Sequence, residues 1–358
     1  MSNHFFFAPI GRSFNRTFRT EVRRVTGIYA LLIGANAAAW AWALFQFSGR
    51  PALLGVALLA YIFGLRHAVD ADHIVAIDNV VRKLLQQGKR PHLTGLYFSL
   101  GHSTVVGFAT LAVAAGAKTL QDNFEPFRDA GGAVGTGISA LFLLAIAFAN
   151  LAILKSVWRS FQDVRRGGHL DAGQLDWIVS GQGILARLLR PLLRMIGKSW
   201  HMYPLGCLFG LGFDTATEIG LLGISASQAT QDMSSLTILI FPALFTAGMM
   251  LVDTTDGLLM VGAYGWAFVN PVRKLWYNLT ITAASVLVAV LIGGIEVLGL
   301  LADKLEFGGT FWIAVGGLNR NMQCLGFVVI GSFAACWIVS ALIYRWKRYD
   351  ERQPESVS

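Results

Sequence analysis

The sequence predicts an all-α polytopic membrane protein of about eight transmembrane helices containing an inverted three-helix repeat. Three observations carry this reading: 54% of the 358 residues are hydrophobic, only 14% are charged, and the mean hydropathy is +0.55. Such a composition is too apolar for the surface of a water-soluble domain and calls for lipid as part of the solvent.

A helix needs roughly 20 apolar residues to cross the hydrocarbon core, and eight runs of about that length are present. The first spans Ile28 to Phe47 and the second begins at Leu53. The third and fourth cover Thr94 to Ala117 and Ala133 to Leu154, and the fifth covers Tyr203 to Ser225. The sixth begins at Leu236, the seventh covers Leu275 to Leu301, and the eighth covers Met322 to Tyr344. The expected division is a cytoplasmic segment over residues 1–27, a transport domain over 28–344 and a cytoplasmic tail over 345–358, with one long cytoplasmic connection over 155–201. Within that connection Ile184 to Trp200 reads as a basic amphipathic segment on the anionic inner leaflet, broken at Pro191. The patch Phe5 to Phe7 lacks the layout of a cleavable signal and is expected to be retained.

Positive charge orients the stack. With both termini inside, the inner segments hold 23 Lys or Arg and the outer loops hold five, the bias expected of a bacterial cytoplasmic membrane protein. The isoelectric point near 9.6 then reflects topology, and nucleic-acid binding is not indicated. Cys207, Cys324 and Cys336 have no paired spacing and read as packing residues. The Phe63-Gly64-Leu65 triplet recurs as Phe209-Gly210-Leu211, and at the same offset Asp72 falls on Glu218. The copies are separated by an odd number of spans, so they would run in opposite directions, the architecture of secondary transporters.

Four motifs place ionisable groups in the apolar runs: Arg66 to Ile74, Leu100 to Ser103, Gly212 to Glu218 and Gly248 to Gly257. Six carboxylates (Asp70, Asp72, Asp214, Glu218, Asp253, Asp256) facing lipid would cost about 15 to 20 kcal/mol, so they must face one another, water or a cation. His67, Asp70 and His73 step by three and share one side of a helix, as do Asp214 with Glu218 and Asp253 with Asp256. Asp72 falls on the opposite side, so it needs a break in the helix or a supporting role. A break is expected in the sixth helix, at Asp253 to Gly257. Arg66 reads as an internal counter-charge, Asp78 as a solvated group near the inner boundary, and Asn36, His102 and Glu296, each taken alone, as hydrogen-bonding residues of helix packing.

Imidazole with carboxylate and no thiolate suits Ni, Zn, Cu(II) or Fe. At this point the sequence resembles the NiCoT family of nickel/cobalt permeases, whose His, four residues, Asp-His hallmark is matched by His67, Asp72 and His73, and whose other signatures match the remaining three motifs in order. The resemblance implies a permease for Ni²⁺ and Co²⁺ that carries the ion as substrate, without a cofactor. Metal recognition is expected at His67, Asp70, Asp72 and His73, with Asn36, His102, Ser103, Asp214, Thr217, Glu218, Asp253 and Asp256 along the pathway. The family places Asn36 near His67, where it would help set the preference between nickel and cobalt. A membrane metallohydrolase is the rival class, but no His-Glu-x-x-His motif occurs. An exporter would often carry a His-rich inner loop, and this one has only His169 and His201. No Gly-x-x-x-x-Gly-Lys-Ser/Thr loop for ATP occurs either.

Overall fold

The computed structural model describes residues 8–116, 124–165, 196–212, 216–230, 233–267 and 271–346. Every regular element among them is helical: α1 (Ala8–Gln46), α2 (Pro51–His67), α3 (Ala71–Gln86), α4 (Thr94–Gly116), α5 (Phe124–Arg165), a 3-10 turn (Ser199–His201), α6 (Met202–Phe209), α7 (Ala216–Thr230), α8 (Ser235–Ile238), α9 (Ile240–Ala267), α10 (Pro271–Lys304), α11 (Thr310–Arg320) and α12 (Met322–Trp346).

Five helices are long and apolar enough to cross a membrane, or seven elements if each of two bent pairs, α2 with α3 and α11 with α12, is one span. The run expected at Tyr203 to Ser225 is different. It falls on α6 and α7, and at about 1.5 Å per residue neither of these short helices crosses a bilayer alone. Residues 213–215 between them, including Asp214, lie outside the described residues. So do Phe5 to Phe7 and most of the basic segment of Ile184 to Trp200. α5 continues in helical form to Arg165, into the stretch expected to form the long cytoplasmic connection. Phe45, Phe108, Leu259, Ile313, Phe327 and Val328 stand exposed on the outside, as side chains facing lipid do.

The helix break lies in the second span and not in the sixth. α2 stops at His67, the chain turns through Ala68 to Asp70, and α3 departs at 51°. Asp70 takes the N-cap position of α3 with extended backbone (φ −63°, ψ 142°), yet its side chain makes no capping bond and turns to His67. α9 by contrast runs unbroken through Asp253 to Gly257, where Thr255 donates back to the Leu251 carbonyl at 2.6 Å and Ser99 holds Asp253. Those bonds satisfy polar groups that would otherwise favour opening the helix.

α3 is the central element, packed by α9, α12, α10, α4 and α5, and almost every side chain from His73 to Arg82 is buried. Two expectations fail here. Asp78 is fully buried rather than solvated, and Arg66 is exposed while Arg82, 2% exposed, is the guanidinium inside the protein. Both follow from the bend, which turns α3 into the middle of the bundle.

The helices approach closely at glycines. The carbonyls of Phe245 and Tyr61 lie against Gly64 and Gly248 where α2 crosses α9, and those of Phe98 and Tyr203 lie against Gly206 and Gly101 where α6 crosses α4. In both crossings a Tyr-x-x-Gly helix meets a Phe-x-x-Gly helix.

Candidate metal centre

The break brings three helices' imidazoles together. His67 closes α2, His73 sits in the first turns of α3, and His102 lies midway along α4; all three are at most 2% exposed. One ring nitrogen from each lies within 4.8 Å of the other two. His67 Nδ1 lies 2.8 Å from Asp70 Oδ2 and 3.3 Å from Thr217 Oγ1. Its Nε2 lies 3.0 Å from His102 Nε2. Glu218, fully buried in the first turn of α7, places Oε1 2.8 Å from His102 Nε2 and 3.7 Å from His67 Nε2.

The chemistry of this arrangement follows from the hydrogen bonds. A carboxylate accepts only, so Asp70 favours the tautomer of His67 that carries its proton on Nδ1 and leaves the Nε2 lone pair toward the centre. Two imidazole nitrogens bound at about 2.0–2.1 Å and at a right angle on one ion stand roughly 3.0 Å apart, which is the His67 to His102 spacing. Two nitrogens and a carboxylate oxygen in such a cluster suit a tetragonal or octahedral borderline cation such as Ni(II).

His73 completes the group from the other side. Neither ring nitrogen has a hydrogen-bond partner, and its Nδ1 faces Asp253 Oδ2 at 3.6 Å. Asp253 in turn accepts from Ser99 Oγ at 2.6 Å, and its Oδ1 is buried without a hydrogen bond. Buried ligand atoms without a hydrogen bond are costly unless a cation passes there. Phe98, edge-on to His73, and Phe245, tilted against His67, form apolar walls.

The expected site residues are thus distributed unevenly. His67, Asp70, His73, His102, Thr217, Glu218 and Asp253 converge. Asp72, on the first turn of α3, is partly buried and acts on both His67 and His73 electrostatically. Ser103 follows His102 and is buried with Oγ unbonded. Asn36 joins α1 to α9, its amide donating to the carbonyls of Leu32 and Ala247 at 2.9 and 3.1 Å. Asp256 lies one turn beyond Asp253. Ser99 was not anticipated; its one sequence signal is its place three residues before His102, on the same face of α4.

Comparison with known proteins supplies the family. Residues 53–343 match the model of the NicO family, described as high-affinity nickel-transport protein. The chain belongs to the NicO family. Among its relatives is a high-affinity nickel transport protein of Cupriavidus necator, 56% identical over 96% of this chain and 97% of that one. The nickel transporter NixA of Staphylococcus aureus is 46% identical over 84% and 88% of the two chains. The cobalt transport protein NhlF of Rhodococcus rhodochrous is 38% identical over 94% and 95%. No solved structure matches the chain. The family match covers every residue of the centre, from His67 to Asp256.

Proposed function

We propose that the chain is a secondary permease that imports Ni²⁺, and also Co²⁺, across the cytoplasmic membrane, with the ion held on its way by His67, His73, His102 and Glu218. One observation carries the site: three buried imidazoles from α2, α3 and α4 face one another with ring nitrogens unbonded or shared. The names of the relatives supply the cargo, nickel in most and cobalt in one. As a member of a transport family the chain is not an enzyme, and the metal is its substrate.

In this reading Asp70 orients His67, Asp72 adds negative charge beside it, and Asp253 with Asp256 leads away along α9. Asn36, Ser103 and Thr217 line the same pathway, to which Asp214 is assigned by its sequence motif alone. The chain crosses eight times, with α6 and α7 together making the fifth span and both termini inside. The inverted repeat is supported by the exchanged crossings: α2 on α9 and α6 on α4 use the same Tyr-x-x-Gly and Phe-x-x-Gly contacts. Those contacts set Gly64 against Gly206, one helical turn from the alignment suggested by the Phe-Gly-Leu triplets. Two halves related in this way provide the alternating access that a permease needs.

The deciding experiment is uptake of radiolabelled Ni²⁺ and Co²⁺ by cells expressing the wild type or His67→Ala. Wild-type cells should accumulate both ions and the variant neither, at equal protein in the membrane. Equal uptake at low metal by the two would defeat the site, and no wild-type uptake above empty cells would defeat the function.

A further inference from the structure

Past the histidines, α3 carries a second buried polar cluster that the site above does not use. Asp78 accepts from the Tyr264 hydroxyl of α9 and from Ser285 Oγ of α10 at 2.8 Å. One turn on, Arg82 donates Nη2 to Asn79 Oδ1 at 2.7 Å, and the same oxygen accepts from Asn150 of α5 at 2.8 Å. Nε and Nη1 of Arg82 have no hydrogen-bond partner. Asp256 stands on α9 between Asp253 and Tyr264, its Oδ2 buried and without a hydrogen bond, and it feels the charge of both Asp78 and Asp253.

We propose that Asp256 and Asp78, with the hydroxyls of Tyr264 and Ser285, form a second cation station through which the ion leaves the histidine centre, and that Arg82 is the resident positive charge that balances it between passages. The inference rests on the import reading. Asp78 feels the charge of Arg82, and Asp256 that of Asp78, in a setting where uncompensated charge is costly. Both sides are also incompletely bonded, Asp256 Oδ2 lacking a donor and Arg82 Nε and Nη1 lacking acceptors. That is the state expected of a site whose second cation comes and goes.

Ligand chemistry gives the station its role. Its donors are oxygen alone, which hold a borderline divalent ion less tightly than imidazole does, so an ion passing from His73 to Asp78 moves from firmer to looser binding. Position gives its direction. Arg82 lies nine residues beyond His73, about 13 Å along the helix, near the end of α3 where Lys83 and Lys89 hold the carbonyls of Ile196 and Gly197 at 2.9 and 2.6 Å. By the charge bias this is the cytoplasmic end. The polar groups around Asp78 come from several elements: Arg82 on its own helix, Tyr264 and Asp256 on α9 and Ser285 on α10, with Asn79 and Asn150 of α5 joined to Arg82 through the Asn79 amide oxygen.

The test is equilibrium binding of Ni²⁺ to the purified full-length protein in detergent, with uptake measured in parallel. The wild type should show a tight and a weaker class of site. Asp78→Asn and Asp256→Asn should lose the weaker class while the tight one stays within about twofold, and His73→Ala should do the reverse. Removing a nearby positive charge should strengthen the weaker class, so Arg82→Gln should tighten it about tenfold or more and slow uptake. Ser285→Ala, a mild change, should weaken that class alone and guards against variants that fail to fold. A single class in the wild type overturns the station, as does a weaker class indifferent to Asp78→Asn, Asp256→Asn and Ser285→Ala; indifference to Arg82→Gln overturns the role given to Arg82. A tight class that ignores His73→Ala condemns the histidine reading instead, and leaves the station to be judged on the weaker class.

Discussion

His67 and Asp70 form a unit in which one side chain binds and the other aims it. The 2.8 Å bond on Nδ1 leaves Nε2 directed at His102 and Glu218, so loss of the carboxylate's charge should weaken the site without emptying it. Groups of this kind are worth about 10- to 100-fold in metal affinity. Because Asn can still accept from Nδ1, Asp70→Asn should raise the half-saturating Ni²⁺ concentration by about tenfold and leave the maximal rate largely intact, as measured in uptake titrations. His102→Ala removes a ligand outright and should abolish uptake at low metal as fully as His67→Ala. An unchanged half-saturation in Asp70→Asn would deny it the orienting role. His67, Asp70 and His73 are singled out in the sequence by steps of three, which share a side only on an unbroken helix. The break at Ala68 to Asp70 puts the two histidines on separate helices, and it is the bend that brings them together. His102 was legible only as a pathway residue, because a lone histidine in an apolar run has no partner in sequence, and Ser99 and Glu218 gain their meaning from helices far away in the chain.

The bend between α2 and α3 is the element on which the centre depends, and α12 supports it from outside. A Cβ added to Gly326 would stand 1.6 Å from the Val69 carbonyl oxygen, inside the turn. Backbone cannot yield as a side-chain tip does, so Gly326→Ala should force α12 and the turn apart and destabilise the protein by at least about 1–3 kcal/mol. Thermal unfolding in detergent should fall by several degrees. Gly331→Ala, on the same helix with nothing within 4 Å of its Cβ, should leave it unchanged, and equal melting of the two variants would show that the contact is slack. Hydropathy located most of the helices because lipid demands apolar length. It could not place the break: nothing local in Ala68-Val69-Asp70 is a strong helix stop, whereas Asp253 to Gly257 looked like one. α9 stays helical through that motif, with Ser99 of α4 holding Asp253, while in the other span Gly326 lets α12 pack against the Val69 carbonyl inside the bend. Burial of Asp78 and Arg82 was hidden for the same reason, as a straight second span would have carried them to the membrane surface.

At the scale of the whole molecule, the proposed eight-span chain that opens alternately to each side rests on the charge bias and the exchanged helix crossings. A reporter fused after Tyr344, or inserted near Gly168, should therefore be active only in the cytoplasm; a periplasmic signal at either point would break that topology. The energy source follows from the same frame. The proposed permease draws on a gradient unless a separate ATPase subunit assists, the chain having no P-loop motif of its own. A divalent cation entering a negative interior gains about 4.6 kcal/mol per 100 mV, twice the single-charge value and enough for roughly a thousandfold accumulation. This drive is useful only if the buried carboxylates offset the ion's charge without trapping it. The descent from imidazoles at His67, His73 and His102 to oxygen ligands along α9 meets that condition, because each later contact is softer in its hold. Purified protein in liposomes free of nucleotide should then take up Ni²⁺ faster when valinomycin and a potassium gradient set the interior negative. The rate should rise with the imposed potential and fall when the potential is reversed. Entry that ignores the potential would mean that another ion moves in exchange and cancels the charge, and entry that requires ATP and a further subunit would remove the chain from the secondary permeases.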